Sequence, residues 1–326
     1  MADQNSEEEQ LRLRRFSKEN RWYFKTIDDH LQPASRKLLE EYSHIPPSEV
    51  DSHIYKMVLI LLRFFPPQPT PDQLTRPQRD ILWSHAPFPC IGEFKFLTLN
   101  FPSHPLYPHI LYLLRPSTTS PGPFLLDLGC CVAQDLRSLT HSTGIPSSHL
   151  YGTDVVPDYL TSSYALFNDA ETFKGNLVQA NIFSETLFED KFKGWENKFR
   201  VIHAGLFLHL FKWEPQVVVC EQIVKLLGKE KGSIFVGEMV GVKGGGERGG
   251  AAKFWPKGEE RKQYLHDEST FQKLWDEVAE KTDTKGCWKV EGWFKLKATD
   301  KSNPSSSCAY FVGEGIGWFT FSVERI

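Results

Sequence analysis

One short stretch combines residue types that bind ligands in α/β proteins. Residues 124–135 read F-L-L-D-L-G-C-C-V-A-Q-D, an apolar run that ends in an acid, a glycine and small side chains. An apolar run without alternation predicts a strand buried on both faces, as in parallel sheets covered by helices. Gly129 allows the chain to turn tightly past a ligand. Because open α/β sheets bind ligands beyond the carboxyl ends of their strands, Asp127 and this turn are a candidate site. The alternative is an ordinary buried strand and turn.

The residues of the turn distinguish between two nucleotide cofactors. The dinucleotide fingerprint G-x-G-x-x-G needs a second and a third glycine, and this chain has Cys131 and Gln134 there. S-adenosylmethionine has no phosphate but carries an ammonium group, which an acidic side chain before the first glycine can bind. Asp127 stands two residues before Gly129, so the turn favours S-adenosylmethionine. The usual D-x-G-x-G-x-G reads here D-L-G-C-C-V-A, with small residues replacing two glycines.

A second acid, Asp154, follows at a sequence spacing that supports a nucleoside-binding site. The segment L-Y-G-T-D at 150–154 predicts a strand that ends at Asp154, 25 residues beyond Gly129. At the tip of the second strand, one carboxylate can accept hydrogen bonds from both hydroxyl groups of a ribose. Aspartate is common in loops, so the prediction depends on the spacing and on the pairing with Asp127.

The third predicted strand, residues 177–183, leads into a loop that suits adenine. Asn181 offers a side-chain acceptor to the adenine amino group, and Ile182 offers an apolar neighbour to the ring. A loop asparagine is also a frequent turn former, so both interpretations stay open.

The fourth predicted strand, residues 199–205, ends in small residues, and Ala204 and Gly205 allow a ligand to approach closely. We expect His203, inside this apolar strand, to be a core histidine bonded to backbone. His209 follows the strand tip, where it is a candidate base or orienting group; packing at the start of a helix is the alternative.

The remaining segments complete an alternating pattern of strands and helices, which predicts a doubly wound parallel sheet. Glu238 ends the fifth strand and contacts either substrate or a neighbouring helix. Residues 240–250 contain six glycines without G-K-[ST], which favours a mobile substrate flap. Residues 266–281 predict a capped helix. Two aromatic-rich runs, 288–296 and 317–325, predict a closing hairpin with one strand running against the sheet.

The N-terminal part reads as helical. Residues 11–31 predict an interrupted helix that either docks on the main domain or forms a lid over cofactor and substrate, with Tyr23 as its polar tip. Residues 35–42 and 48–65 predict two further helices.

The prolines between residues 66 and 108 exclude a continuous helix there. We expect the aromatic residues Phe88, Phe94 and Phe96 on the domain surface, as a wall beside the pocket.

Composition limits the class of protein. The 326 residues are 40% hydrophobic with a net charge of −3, enough for one large core and unfavourable for general nucleic-acid binding. Six cysteines without a C-x-x-C pair predict reduced thiols. No secretory signal is visible, and the longest apolar run, 57–65, is too short to span a bilayer. We expect a cytoplasmic enzyme acting on small molecules, with no metal, membrane or nucleic-acid partner, as a monomer or homodimer.

Together these motifs resemble class I S-adenosylmethionine-dependent methyltransferases, and among them the fungal methyltransferases of meroterpenoid and polyketide secondary metabolism. The resemblance is carried by D-L-G-C-C-V-A-Q-D at 127–135, L-Y-G-T-D at 150–154, N-I-F at 181–183 and I-H-A-G-L-F-L-H-L-F at 202–211. It implies a Rossmann-like, mostly parallel seven-stranded sheet with an antiparallel last strand. We predict a helical extension, residues 1–115, that supplies a lid and a pocket wall, and a cofactor-binding domain, residues 116–326.

The resemblance also implies an activity and a set of contacts. The activity is methyl transfer to oxygen, giving a carboxylate methyl ester or a phenol ether; a phenol would use a base such as His209, and Tyr23 and Glu238 are candidates for substrate binding. Ala133, where glycine is usual, and Asn181, where an acid is common, depart from the pattern. A cyclase or binding module on this fold, and a dinucleotide oxidoreductase, are the alternatives. The implied cofactor contacts are Asp127, Gly129 and Cys130 for the methionine part, Asp154 and Val155 for the ribose, Asn181 and Ile182 for the adenine, and Ala204 at the fourth strand.

Overall fold

The computed structural model describes most of the chain. The described residues are 17–19, 23–24, 26–27, 31–56, 89–115, 122–249, 262–296 and 314–326. The predicted helix 11–31 lies largely outside them, as do residues 57–65 of the predicted helix 48–65 and Phe88. None of the helices in these ranges combines the length and the hydropathy needed to cross a bilayer.

Eight α-helices and nine strands are found within these ranges. The helices are α1 (Pro33–Lys37, continued by a π-helical turn, Leu38–Tyr42), α2 (Val50–Lys56), α3 (Pro89–Gly92), α4 (Tyr107–Leu113), α5 (Gln134–Thr143), α6 (Pro157–Phe167), α7 (Trp213–Leu226) and α8 (Glu268–Lys281). The strands are β1 (Phe124–Leu128), β2 (Leu150–Asp154), β3 (Asn176–Gln179), β4 (Phe199–Gly205), β5 (Ile234–Val242), β6 (Gly246–Gly249), β7 (Lys262–Leu265), β8 (Trp288–Leu296) and β9 (Ile316–Arg325).

Seven strands form the main sheet, in the order β3-β2-β1-β4-β5-β9-β8. Strands β1 to β5 pair in parallel, whereas β9 runs antiparallel to both β5 and β8. The predicted sheet and its closing antiparallel strand are therefore confirmed. Strands β1 and β4 are buried along nearly their whole length because helices cover both faces, which is why their sequences do not alternate.

The glycine-rich segment is more regular than predicted. Residues 240–242 continue β5, and β6 pairs antiparallel with β7 as a separate two-stranded sheet. The predicted capped helix begins at Glu268, and Asp267 caps it by accepting a hydrogen bond from the Thr270 amide.

The N-terminal residues share hydrophobic clusters with the sheet domain. Phe94 and Phe96 pack in one cluster with Val132 of the turn after β1. Ile110 and Leu114 pack in another that also contains residues of β1, β2 and β4. The predicted position of Phe94 and Phe96 on the surface is wrong, since both are almost fully buried by this contact. The division at residue 115 stays a prediction.

Candidate functional site

The turn between β1 and α5 alternates left-handed residues. Gly129, Cys131 and Ala133 have φ of 69°, 52° and 52°. The amides of Gly129 and Cys130 both donate to the Thr153 carbonyl, at 2.8 and 3.0 Å, which ties the turn to β2. These three left-handed positions are those at which the D-x-G-x-G-x-G pattern has glycine. Cys131 and Ala133 therefore hold a conformation that costs an L-residue roughly 1–2 kcal/mol.

Gly129 lies against an aromatic ring. A Cβ on this residue would lie 2.6 Å from Cδ2 of Phe207, so the turn leaves room only for glycine. The neighbouring Cys130 thiol is buried, and a Cβ on Gly152 would lie 2.9 Å from its sulfur. The predicted cofactor contact of Cys130 can thus come only from its main chain, because its side chain belongs to the core.

Asp154 is held at the tip of β2, as the sequence predicts. Its Oδ2 accepts from the Cys131 amide at 3.0 Å and its Oδ1 from the Val156 amide at 2.9 Å. Burial raises the pKa of Asp154, and these backbone hydrogen bonds oppose that shift. Val155 beside it is 54% exposed. A carboxylate oxygen has a second acceptor site, so the oriented pair of oxygens fits a ribose diol.

The predicted adenine loop begins earlier than expected, because β3 ends at Gln179. Asn181 is exposed, and its Oδ1 accepts from the Phe183 amide at 3.1 Å, so the turn-former interpretation is correct. Ile182 is buried beside it, and Ala204 is buried in the same cluster at the end of β4. A contact of Asn181, Ile182 or Ala204 with the cofactor stays a prediction.

His203 is a core histidine, as predicted, but the predicted backbone partner is wrong, because the ring contacts a side chain. Its Nδ1 lies 2.8 Å from Oδ1 of Asp127, and both side chains are buried. Burial alone would lower the pKa of His203, but Asp127, Asp135 and Glu238 raise it above its ordinary value. Burial also raises the pKa of Asp135 to about 7; its Oδ1 accepts from the Phe101 amide at 3.4 Å. Three acids, Asp127, Asp135 and Glu238, therefore act electrostatically on one buried imidazole, and Asp127 contacts it directly.

His209 is a much weaker base than the sequence suggests. It lies in a 3₁₀ turn, Leu208–Leu210, and is only 5% exposed. Burial, with repulsion from Lys95, lowers its pKa to about 3. Lys95 pairs with Glu93 at 2.7 Å and also opposes the burial that raises the pKa of Glu238. The sequence did not indicate the Glu93–Lys95 pair, whose lysine acts on Glu238 and His209 from the N-terminal part.

Tyr23 is not an exposed tip. It is 7% exposed and packs in the cluster that contains Val132 and Tyr159, beside the turn after β1. Lys18 lies with its Nζ 5.8 Å from the Tyr23 ring centroid. Tyr23 therefore lies next to the turn, but as a buried residue.

Arg137, on α5, was missed altogether. Its guanidinium is fully buried and forms a two-point ion pair with Asp169, at 2.7 and 3.1 Å. It also donates to the Val132 carbonyl at 2.9 Å, and the Tyr42 hydroxyl donates to Asp169 at 2.8 Å. The pair thereby connects the turn after β1, the residue following α6 and the N-terminal part. An arginine among polar and apolar neighbours gave no sequence signal of this role.

The sheet order, with paired acids at the tips of neighbouring parallel strands, defines a class I methyltransferase fold. Among the described residues, no group of three or more His, Cys, Asp or Glu side chains is arranged to hold a metal ion. The conclusion about the fold rests on the topology and on the two acids, Asp127 and Asp154.

Comparisons with known proteins give the family. Residues 22–58 match the family model of the meroterpenoid methyltransferase N-terminal domain. The chain is 36% identical over 275 residues to O-methyltransferase phiE of Fungal sp. (strain ATCC 74256), which covers 84% of this chain and 80% of the relative. It is 29% identical over 269 residues to asnovolin E/chermesin D methyltransferase nvfJ of Aspergillus novofumigatus, covering 81% and 82%. A solved structure of Haemonchus contortus phosphoethanolamine N-methyltransferase 2 with S-adenosyl-L-methionine has a TM-score of 0.44 at 17% identity, covering 76% of this chain and 61% of that one.

The chain belongs to the fungal secondary-metabolite methyltransferases, which are S-adenosylmethionine-dependent enzymes. The predicted cofactor and enzyme class are therefore confirmed, and the oxidoreductase alternative is excluded.

Proposed function

We propose that the protein transfers the methyl group of S-adenosylmethionine to a carboxylate oxygen of a small fungal natural-product acid, forming a methyl ester. The observation that carries this choice is the state of His209, the candidate base. With a pKa of about 3 it is neutral at neutral pH and accepts a phenol proton very poorly, since a phenol has a pKa of about 10. A carboxylic acid is already ionised at neutral pH and needs no base. The relative phiE is an O-methyltransferase, which supports oxygen as the acceptor.

The residues present fit the cofactor. Gly129 leaves a cradle that a Cβ would fill, and Asp154 is oriented by two backbone amides. In this proposal Asp127 faces the ammonium group, and Asp154 accepts the ribose hydroxyls beside Val155. Asn181 and Ile182 border the adenine, with Gly129, the main chain of Cys130 and Ala204 along the ligand.

When bound, S-adenosylmethionine would supply a methyl group activated by the sulfonium: a carboxylate oxygen would attack the methyl carbon in line with the sulfur, the C–O bond forming as the C–S bond breaks and S-adenosylhomocysteine leaves. No proton is transferred in this step. The protein's contribution is alignment and exclusion of water. We place the substrate acid beside Glu238 and His209, with Tyr23 acting indirectly through the packing of the N-terminal part against the turn. Glu238 does not end its strand as predicted, because β5 continues to Val242; it pairs with Gly205 at the end of β4. His209 lies in the turn that follows β4.

The test is methyl transfer with isotopically labelled S-adenosylmethionine to a hydroxyaryl carboxylic acid that offers both acceptors in one molecule. A methyl ester releases its label as volatile methanol after mild alkaline hydrolysis, whereas a phenol ether retains it. We expect alkali-labile label, and no transfer to the matched carboxamide. Label that survives alkali would establish phenol methylation instead, and binding without transfer to any acid or phenol would support the cyclase or binding-module alternative.

His209→Gln provides the second arm of this experiment. The variant should keep kcat within about threefold, with a rate that changes little between pH 6 and 9, because no base is required. A loss of about a hundredfold or more that is restored by raising the pH would contradict the carboxylate assignment and restore His209 as a base.

A further inference from the structure

The register of two parallel strands places His203 beside Asp127. These residues are direct partners in the β1–β4 ladder, so their side chains leave the same face of the sheet. The 2.8 Å contact between Nδ1 of His203 and Oδ1 of Asp127 follows from this pairing. The Nδ1 atom carries the proton in this arrangement, because the ionised carboxylate can only accept.

The imidazole is confined from its other sides. The Phe101 ring lies over it with 4.3 Å between ring centroids. A Cβ on Gly205 would lie 3.1 Å from Cε1 of His203, so the glycine leaves the space that the imidazole occupies. Gly205 was predicted to let a ligand approach closely; the space left by its missing side chain is next to the His203 ring. The titratable groups that act on the ring are Asp127 on β1, Asp135 on α5, Glu238 on β5 and His104 before α4.

The contact uses one oxygen of Asp127. Within the described ranges, no protein group donates a hydrogen bond to Oδ2, the other oxygen. The hydrogen bond from His203 to Oδ1 fixes the plane of the carboxylate. A carboxylate that is held by one oxygen presents the second in a fixed direction, which favours a charge-assisted hydrogen bond to an ammonium group.

We propose that His203 is a positioning residue for cofactor binding: its Nδ1–H holds Oδ1 of Asp127 so that Oδ2 receives the ammonium group of the methionine part. This inference rests on the proposed role of Asp127. It assigns no step in methyl transfer to His203.

The test compares two ligands by calorimetry, S-adenosylhomocysteine and 5′-methylthioadenosine, which lacks the amino-acid portion. His203→Leu removes the donor and should weaken S-adenosylhomocysteine binding at least about tenfold, while 5′-methylthioadenosine binding stays within about twofold of wild type. His203→Asn places an amide Nδ2 near the position of Nδ1, and we expect it to keep S-adenosylhomocysteine binding within about threefold. Equal losses for both ligands, or no loss in His203→Leu, would overturn the proposal.

His266→Gln is the matched control, since His266 is also a buried histidine held by side chains, with Nε2 2.9 Å from Oε1 of Gln216, but it is not among the groups that act on His203. It should bind both ligands as the wild type does. If His203→Leu does not fold, the ¹⁵N-labelled histidine spectrum of the wild type decides: S-adenosylhomocysteine should shift the His203 Nδ1–H signal and 5′-methylthioadenosine should not. A signal that responds equally to both ligands would refute the proposal.

The variant Asp127→Asn distinguishes the positioning role of His203 from the proposed contact of Asp127 with the ammonium group. If Asp127→Asn binds S-adenosylhomocysteine as tightly as wild type, the ammonium contact itself is wrong. If Asp127→Asn loses binding while His203→Leu does not, only the positioning role is wrong.

Discussion

Substitution of Arg137 by methionine should destabilise the protein strongly, although the residue lies outside every predicted contact. The guanidinium is 0% exposed and forms the two-point pair with Asp169. Its loss leaves the buried Asp169 carboxylate with the hydrogen bond from the Tyr42 hydroxyl but without its cation, and removes the donors to the Ser163 hydroxyl and the Val132 carbonyl. Removal of one partner of a buried ion pair costs about 3–5 kcal/mol.

The expected shift in thermal midpoint follows from chain length. The unfolding entropy per residue implies about 1.5 °C per kcal/mol for a cooperative chain of 326 residues, so Arg137→Met should lower Tm by about 4–7 °C. Differential scanning calorimetry measures this. Arg200→Met is the matched control, because Arg200 donates mainly to backbone carbonyls at the exposed end of β4, and it should change stability by less than about 1 kcal/mol.

The double variant Arg137→Met, Asp169→Leu tests the reasoning itself. With both charges absent, no buried charge lacks a partner, so the double variant should be more stable than the sum of the two single changes predicts, by at least about 1 kcal/mol. Strict additivity, or a Tm for Arg137→Met within about 1 °C of wild type, would refute the view that the pair holds the turn after β1 in place.

Three further predictions concern the turn and its acids. Gly129→Ala should cost about 1–2 kcal/mol and weaken S-adenosylhomocysteine binding in calorimetry, because of its positive φ and of Phe207, whereas Gly144→Ala, with open space around it, should leave binding unchanged. Asp135→Asn should stabilise the protein by no more than about 4 kcal/mol at pH 8 and by little at pH 4, as judged by denaturant unfolding. The sign follows from the raised pKa of about 7: between pH 4 and 7 the unfolded state binds fewer protons than the folded state, so wild-type stability falls as pH rises; a gain that is larger at pH 4 than at pH 8 would contradict this. Asp154→Ala should weaken S-adenosylhomocysteine binding at least about a hundredfold with the sheet intact by circular dichroism, whereas Asp158→Ala, an exposed acid of α6, should not; equal affinities in both would remove the ribose assignment.

Much of the fold was predictable because its signals are local. Strand β4 has the predicted bounds, and β8 and β9 match their predicted runs within one residue. A strand covered on both faces needs an unbroken apolar run, and a tight turn needs glycine, and both requirements are visible in residues 124–135. The positions of the two acids were predictable for the same reason, because they depend only on where strands β1 and β2 end. The antiparallel pairing of β8 with β9, and of β9 with β5, matches the closing hairpin that the two aromatic-rich runs predicted.

The environments of His203, His209 and Arg137 were not predictable. The partner of His203 lies 76 residues away and that of Arg137 lies 32 residues away, so both contacts depend on strand register and helix packing. His209 loses its basicity because other parts of the chain bury it, which its neighbours in sequence do not reveal.

The amino-acid sequence by itself therefore determined the parallel sheet, the left-handed turn at Gly129 and the two strand-tip acids, because each is a requirement of the local backbone. Only the tertiary structure decided in which direction the pKa values of His203, His209 and Asp135 are shifted, and which oxygen of Asp127 is held. Desolvation and Coulomb interactions depend on every group within a few ångströms, and folding brings those groups together from distant parts of the chain.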